Sequence, residues 1–206
     1  MQVIEKHSRA IRWFHWIHFP LIMLMIWTGA RIYWANQAYI EMPESVVRFF
    51  GLEANLALGM AWHFSLVWLF AINGLAYVTY LFLSGEWRVL VPGKQDFRDA
   101  VPYLLYDLHL RKAPPPLHGK FNPMQKISYF FVILMGGGAL LTGLAIYKPV
   151  QAGLLTQLLG GYETACLEHF ILTVGFILFF LVHVIEVMRA GWNNFRAMVS
   201  GDEIKN

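Results

Sequence analysis

The chain has 206 residues, of which 57% are hydrophobic and 14% are charged, with a formal net charge of +3. Soluble domains have about 45–50% apolar and about 25% charged residues, so this composition indicates an integral membrane protein. The single cysteine, Cys166, excludes an intrachain disulfide, a Cys-x-x-Cys zinc site and covalent c-type haem attachment. The modest charge gives no reason to expect a nucleic-acid partner.

Four stretches with few or no charged side chains predict four membrane-spanning helices. They are expected at about residues 12–33, 54–84, 124–147 and 162–188. Each stretch is long enough to cross a hydrocarbon core about 30 Å thick, which takes roughly 20 helical residues. We therefore expect an all-α integral membrane protein, a four-transmembrane-helix bundle in which residues 1–206 form one domain.

The connections between these spans are also predicted to contain short helices. In residues 96–110 charged positions alternate with apolar ones at helical spacing. This segment is expected to lie along the membrane surface, although docking on a partner would give the same pattern. The tail from Ala190 onward predicts another short interfacial helix.

Positive charges determine the expected orientation in the membrane. If the N-terminus is cytoplasmic, thirteen of the sixteen lysines and arginines lie in inner segments, and only Arg31, Arg48 and Lys148 lie in outer ones. The positive-inside rule then places both termini in the cytoplasm. No small-residue cleavage site follows the first apolar run, so we expect that run to stay in the bacterial inner membrane.

Histidines inside the spans are the candidate functional residues, because an ionisable group in a membrane is costly. His169 and His183 are fourteen positions apart in the fourth span. In a helix they lie on nearly the same face, roughly 40° apart in azimuth and about 21 Å apart along the axis. With the expected topology, His15 shares the inner level with His183, and His63 shares the outer level with His169.

Two pairs of histidines at two depths predict two haems. A haem iron takes one axial histidine from each of two facing helices, which fills both axial positions and suits electron transfer. Stacked across the bilayer, two such b-type haems would conduct electrons. Histidines that merely bond to neighbouring helices are the structural alternative, and His18 competes with His15 because it lies three residues further on the same helix face.

Several short motifs occur in order along nearly the whole chain. They are Arg12-Trp13-Phe14-His15-Trp16, Trp62-His63-Phe64, Asn122-Pro123-Met124-Gln125-Lys126, Thr142-Gly143-Leu144 and Trp192-Asn193. Together they resemble the bacterial di-haem cytochrome b family, the membrane subunits of formate dehydrogenases, nickel–iron hydrogenases and thiosulfate reductases. The similarity is greatest to the thiosulfate-reductase type, and the Arg-x-x-His-Trp motif favours His15 over His18.

The resemblance also implies a quinone site beside the inner haem. In the formate dehydrogenase relatives an Asn-x-x-Gln-Lys motif lies there, which makes Asn122 and Gln125 candidates for quinone binding. This chain departs from those relatives by having Pro123-Met124 where they have small residues. A compatible structural role for Asn122 is an N-cap with proline at the first helical position.

The function implied is electron transfer between the quinone pool and a catalytic subunit on the outer side, of the molybdenum-enzyme or hydrogenase type. No substrate chemistry beyond quinone redox is expected of the chain itself. One alternative is a stand-alone di-haem oxidoreductase that acts on superoxide or a ferric chelate at the outer haem. Another is a haem-free membrane anchor or transporter that uses its histidines for proton movement.

Overall fold

The computed structural model describes residues 2–35, 39–53, 55–117 and 119–205. Within these ranges the chain forms eight helices and two short strands. The helices are α1 (Arg9–Trp34), α2 (Glu44–Phe49), α3 (Leu56–Ser84), α4 (Trp87–Leu90), α5 (Lys94–Asp107), α6 (Pro123–Tyr147), α7 (Gly153–Leu158) and α8 (Tyr162–Ser200). The strands are β1 (Gln2–Glu5) and β2 (Asp202–Lys205). Ala54, with which the second predicted span begins, lies outside the described residues.

Helices α1, α3, α6 and α8 are long and apolar enough to cross a membrane. Large apolar side chains on them face outward: Ile72 and Leu75 of α3 are 64% and 70% exposed, and Leu178 of α8 is 58% exposed. Such exposure would be costly in water, but it suits contact with lipid. The predicted all-α membrane fold with four spanning helices is confirmed.

Local sequence signals explain where two of the spanning helices begin and where one is interrupted. Ser8 caps α1 by accepting a hydrogen bond from the backbone N–H of Ile11, as serine commonly does at this position. Asn122 caps α6, whose first residue is Pro123. Helix α8 is interrupted at Gly191, where φ is 80°, a left-handed conformation that glycine adopts without strain. The residues after Gly191 form the predicted helix in the tail.

The chain divides into two compact units, and the first contains Met1–Tyr77 and Val184–Asn206. Its two chain ends pair as an antiparallel ribbon in which Ile4 lies opposite Glu203. Lys6 Nζ forms an ion pair with Glu203 at 3.0 Å. The indole N–H of Trp16, in α1, donates to the carbonyl of Met198 at 3.0 Å. These bonds hold the beginning of α1 against the end of α8.

The second unit, Val78–His183, contains α4 to α7 and the first part of α8. Helices α6 and α8 pack closely at small residues, because a Cβ atom at Gly138 would lie 3.2 Å from Leu172 and one at Gly175 would lie 3.0 Å from Met135. Small residues at such contacts are typical of membrane helices. Helix α5 is attached to the start of α6 by an ion pair between Lys126 and Asp96 at 2.8 Å.

We expect the stability of α5 against local unfolding to depend on the ion pair between Lys126 and Asp96. The side chains of Lys126 and Asp96 are only 19% and 16% exposed, so we expect Lys126→Met to cost about 1.5–3 kcal/mol, the range for hydrogen bonds to charged groups. Hydrogen exchange of the α5 amides should become roughly tenfold faster or more. Lys126→Arg should restore the protection, and unchanged exchange in Lys126→Met would contradict this role.

Candidate functional site

Two histidines, one in each unit, share a hydrogen bond to a buried threonine, and His169 also hydrogen-bonds to the backbone of Ala139. In the first unit, Nδ1 of His63 lies 2.9 Å from Oγ1 of Thr28 on α1. In the second unit, Nδ1 of His169 lies 2.9 Å from Oγ1 of Thr142 on α6. Both threonines are buried, with 1% and 3% of their surface exposed.

Each threonine hydroxyl also bonds to its own helix. Oγ1 of Thr28 donates to the carbonyl of Leu24 at 2.8 Å, and Oγ1 of Thr142 donates to the carbonyl of Gly138 at the same distance. A hydroxyl has one hydrogen to donate and lone pairs with which it accepts. Because that hydrogen is used within the helix, the hydroxyl accepts from Nδ1–H of the histidine. The neutral imidazole in this tautomer carries its lone pair on Nε2, the nitrogen through which it can bind a metal.

A glycine follows each threonine and lets the imidazole approach. A Cβ atom at Gly29 would lie 3.3 Å from Cε1 and 3.7 Å from Nδ1 of His63. At Gly143 the corresponding distances to His169 are also 3.3 Å and 3.7 Å. Any larger residue would crowd the ring. We call Thr28-Gly29 and Thr142-Gly143 the two Thr-Gly pairs.

The Thr-Gly pairs occupy equivalent places in two helix pairs. Thr28 is the twentieth residue of α1 and Thr142 is the twentieth of α6. Their histidines are each the eighth residue of a helix, His63 of α3 and His169 of α8. Sequence reasoning missed this repetition, although Thr-Gly occurs only at these two places in the sequence.

His18 has the opposite hydrogen-bonding pattern. Its Nδ1 is hydrogen-bonded to the side-chain NH₂ group of Asn73, on α3. The same NH₂ group donates to the carbonyl of Phe14 at 3.3 Å, which orients the amide with its nitrogen toward the ring. Nδ1 of His18 therefore accepts, and the hydrogen of the neutral ring is on Nε2. In this tautomer Nε2 has no lone pair for a metal.

The two inner candidates lie in different units, His15 in α1 and His183 in α8. The ring of His15 is edge-on to Trp16, with centroids 5.1 Å apart. The ring of His183 is stacked on Phe179, one helical turn earlier, with centroids 5.7 Å apart and planes 10° apart. The pairing of His15 with His183 and that of His63 with His169 stay predictions.

The quinone candidates Asn122 and Gln125 are brought together at the start of α6. Oδ1 of Asn122 accepts from the backbone N–H of Gln125 at 2.8 Å, and Oε1 of Gln125 accepts from the backbone N–H of Asn122 at 3.2 Å. This is a reciprocal capping box. The N-cap role considered for Asn122 is therefore present, and it uses the side-chain oxygens of both residues.

Comparison with known proteins identifies the family. The sequence matches the prokaryotic cytochrome b561 family over residues 6–201. The chain belongs to this family. It is also 32% identical, over 187 residues, to the "Putative protein-methionine-sulfoxide reductase subunit YedZ1" of Azospira oryzae, covering 90% of this chain and 91% of that protein.

Family membership establishes the general function. The chain is a haem b protein of the bacterial membrane, with several spans, and it serves as an electron-transfer subunit. The resemblance to bacterial cytochromes b in the sequence is confirmed. Across the described residues no three His, Cys, Asp or Glu side chains form a metal-binding group. Axial ligation of haem needs only two imidazoles, because the porphyrin supplies the other four nitrogens.

Proposed function

We propose that this chain binds two b-type haems and passes electrons between the quinone pool and a catalytic subunit on the outer side of the inner membrane. The observation that carries the proposal is the matched arrangement of His63 and His169. Each presents Nε2 as its metal-binding nitrogen because a buried threonine accepts from Nδ1. A haem held by His63 and His169 would supply reversible one-electron transfer.

His63 and His169 are the proposed ligands of the outer haem. The residues around them fit this role, since Gly29 and Gly143 leave room beside each ring and no Cβ atom restricts its approach. The tautomer of both rings is the one that binds iron through Nε2.

His15 and His183 are the proposed ligands of the inner haem. The tautomer of His18 supports this choice, because iron could bind His18 only after the Asn73 amide had turned over and left the Phe14 carbonyl. Stacking on Phe179 holds the plane of the His183 ring. His18 is then a structural residue whose hydrogen bond to Asn73 joins α1 to α3 within the first unit.

The inner pair is tested by haem content. His183→Ala should lose about half of the bound haem while still inserting into the membrane, because one of two sites lacks a ligand. His15→Ala should do the same. The matched control is His18→Ala, which should keep both haems. Haem per chain is measured as the pyridine haemochrome, and loss of a haem in His18→Ala but not in His15→Ala would reverse the assignment.

The outer pair is tested by comparing two single variants with their double variant. His63→Ala and His169→Ala should each lose one haem, and the double variant should lose no more than either single one, because both residues serve the same site. The inner haem should keep its visible spectrum in all three. A double variant that loses both haems would show that His63 and His169 serve different haems.

Quinone binding is proposed at the start of α6, near Asn122 and Gln125. The capping box occupies their side-chain oxygens, so the NH₂ groups are the donors that a quinone carbonyl would use. The positive-inside rule supports a cytoplasmic location for this end of α6, the side that is also expected for His15 and His183. Water on that side supplies the protons that quinone reduction needs.

Carboxylate variants separate quinone binding from helix capping. Asn122→Asp and Gln125→Glu keep the capping oxygen and remove the NH₂ donor. Each should slow haem reduction by a quinol analogue about fivefold, which corresponds to one hydrogen bond of about 1 kcal/mol. The haem spectra should stay intact. Asn194→Asp is the charge control, since Asn194 accepts from Lys6 through Oδ1. Quinol kinetics that match this control would place the quinone elsewhere.

The proposed partner is a sulfoxide reductase on the outer side. The relative from Azospira oryzae is named as a subunit of a protein-methionine-sulfoxide reductase, and a partner of this kind fits the expected molybdenum-enzyme class better than a hydrogenase. A reductase partner also gives the direction of flow, from quinol through this chain to the oxidised substrate. Family membership leaves the haem-free anchor or transporter without support.

A further inference from the structure

We propose that Thr28 and Thr142 set the redox potential of the outer haem by holding its two ligands as Nδ1–H donors. The inference rests on the proposed function, because it takes His63 and His169 as the ligands. Thr28 and Thr142 are positioning residues that act through the two histidines. Nothing in family membership or in the relative's name assigns them a role.

The first step assigns the direction of the hydrogen bond at Nδ1 from the other bond that each threonine hydroxyl makes. Thr28 donates to Leu24 at 2.8 Å and Thr142 donates to Gly138 at 2.8 Å. A threonine in a membrane helix commonly bonds the carbonyl four residues earlier. The hydroxyl would leave that carbonyl if it turned to donate to the ring.

The second step is electronic. A histidine that donates its second N–H to an acceptor becomes a more basic ligand. A more basic imidazole stabilises ferric iron relative to ferrous iron, which lowers the reduction potential. Both proposed ligands of the outer haem carry the same bond, at 2.9 Å in each case. The hydrogen bonds at His63 and His169 therefore both lower the reduction potential of the proposed outer haem.

The third step is geometric. The glycine of each Thr-Gly pair allows the ring to lie against the neighbouring helix, and the threonine fixes its rotation about the Cβ–Cγ bond. A Cβ atom at either glycine would be 3.3 Å from Cε1 of the ring, closer than ordinary van der Waals contact. The pair therefore determines both the hydrogen bond and the orientation of the ligand plane.

The experiment replaces each threonine by valine in the full-length chain carrying both haems. Valine has the shape of threonine without the hydroxyl. We expect Thr28→Val and Thr142→Val each to raise the potential of the outer haem, and the double variant to raise it further. The potential is measured by redox titration with visible and electron paramagnetic resonance spectra. The inner haem, whose potential should not move, is the internal reference.

Two further variants separate this role from packing. Thr28→Ser and Thr142→Ser keep the hydroxyl and should retain the original potential. Thr156→Val is the matched control, because Thr156 is also buried, at 8% exposure, but its hydroxyl bonds only to the carbonyls of Ala145 and Ala152. It should leave both potentials unchanged.

The outcomes distinguish failure of this inference from failure of the proposed function. Unchanged potentials in the valine variants, with both haems bound, would overturn the role of the threonines and leave the ligands intact. A wild-type chain that binds fewer than two haems would overturn the proposed function instead. If a valine variant loses the outer haem, Thr28→Cys and Thr142→Cys decide, since a thiol is a weak acceptor of similar size. An unchanged potential in these cysteine variants would also overturn the inference.

Discussion

The hydrogen bond between a buried threonine hydroxyl and Nδ1 of a histidine on another spanning helix is the interaction on which the candidate site depends. In hydrocarbon a polar group without a partner costs several kcal/mol. The hydroxyl of Thr28 satisfies its own helix at Leu24 and the ring of His63 at the same time. The threonine hydroxyl and the Nδ1–H of the ring are thus both hydrogen-bonded through one side chain.

The two Thr-Gly pairs occupy equivalent positions within their own helix pairs. A residue twenty positions into one helix meets a residue eight positions into the other in both units. At about 1.5 Å per residue, these positions fix the level of the imidazole relative to the helix ends. The shared depth that the sequence predicts for His63 and His169 stays a prediction, as does the shared depth of His15 and His183.

Properties that depend on nearby residues were predictable from the sequence, and those that depend on distant ones were not. The four long apolar helices and the N-cap at Asn122 follow from local composition and from the adjacent Pro123. The bond from Thr28 to His63 joins residues 35 positions apart, and the β1–β2 ribbon joins the two chain ends. Neither the Thr-Gly sequence nor the sequence of β1 indicates which distant residues it will contact. His15 and His18 share a helix face, so spacing alone could not separate them.

The direction inferred for the hydrogen bond at Nδ1 distinguishes the proposed ligands His63 and His169 from His18, whereas burial does not. His18, His63 and His169 are all half-buried polar residues in spanning helices. An acceptor at Nδ1, as provided by Thr28 and Thr142, leaves the lone pair on Nε2. A donor at Nδ1, as provided by Asn73, leaves the ring hydrogen on Nε2. That hydrogen blocks coordination of a metal by Nε2. The Asn73 side chain cannot turn its oxygen toward His18 without losing its hydrogen bond to the Phe14 carbonyl. The residue that hydrogen-bonds to Nδ1 of each histidine thus determines whether Nε2 of that histidine can bind a metal.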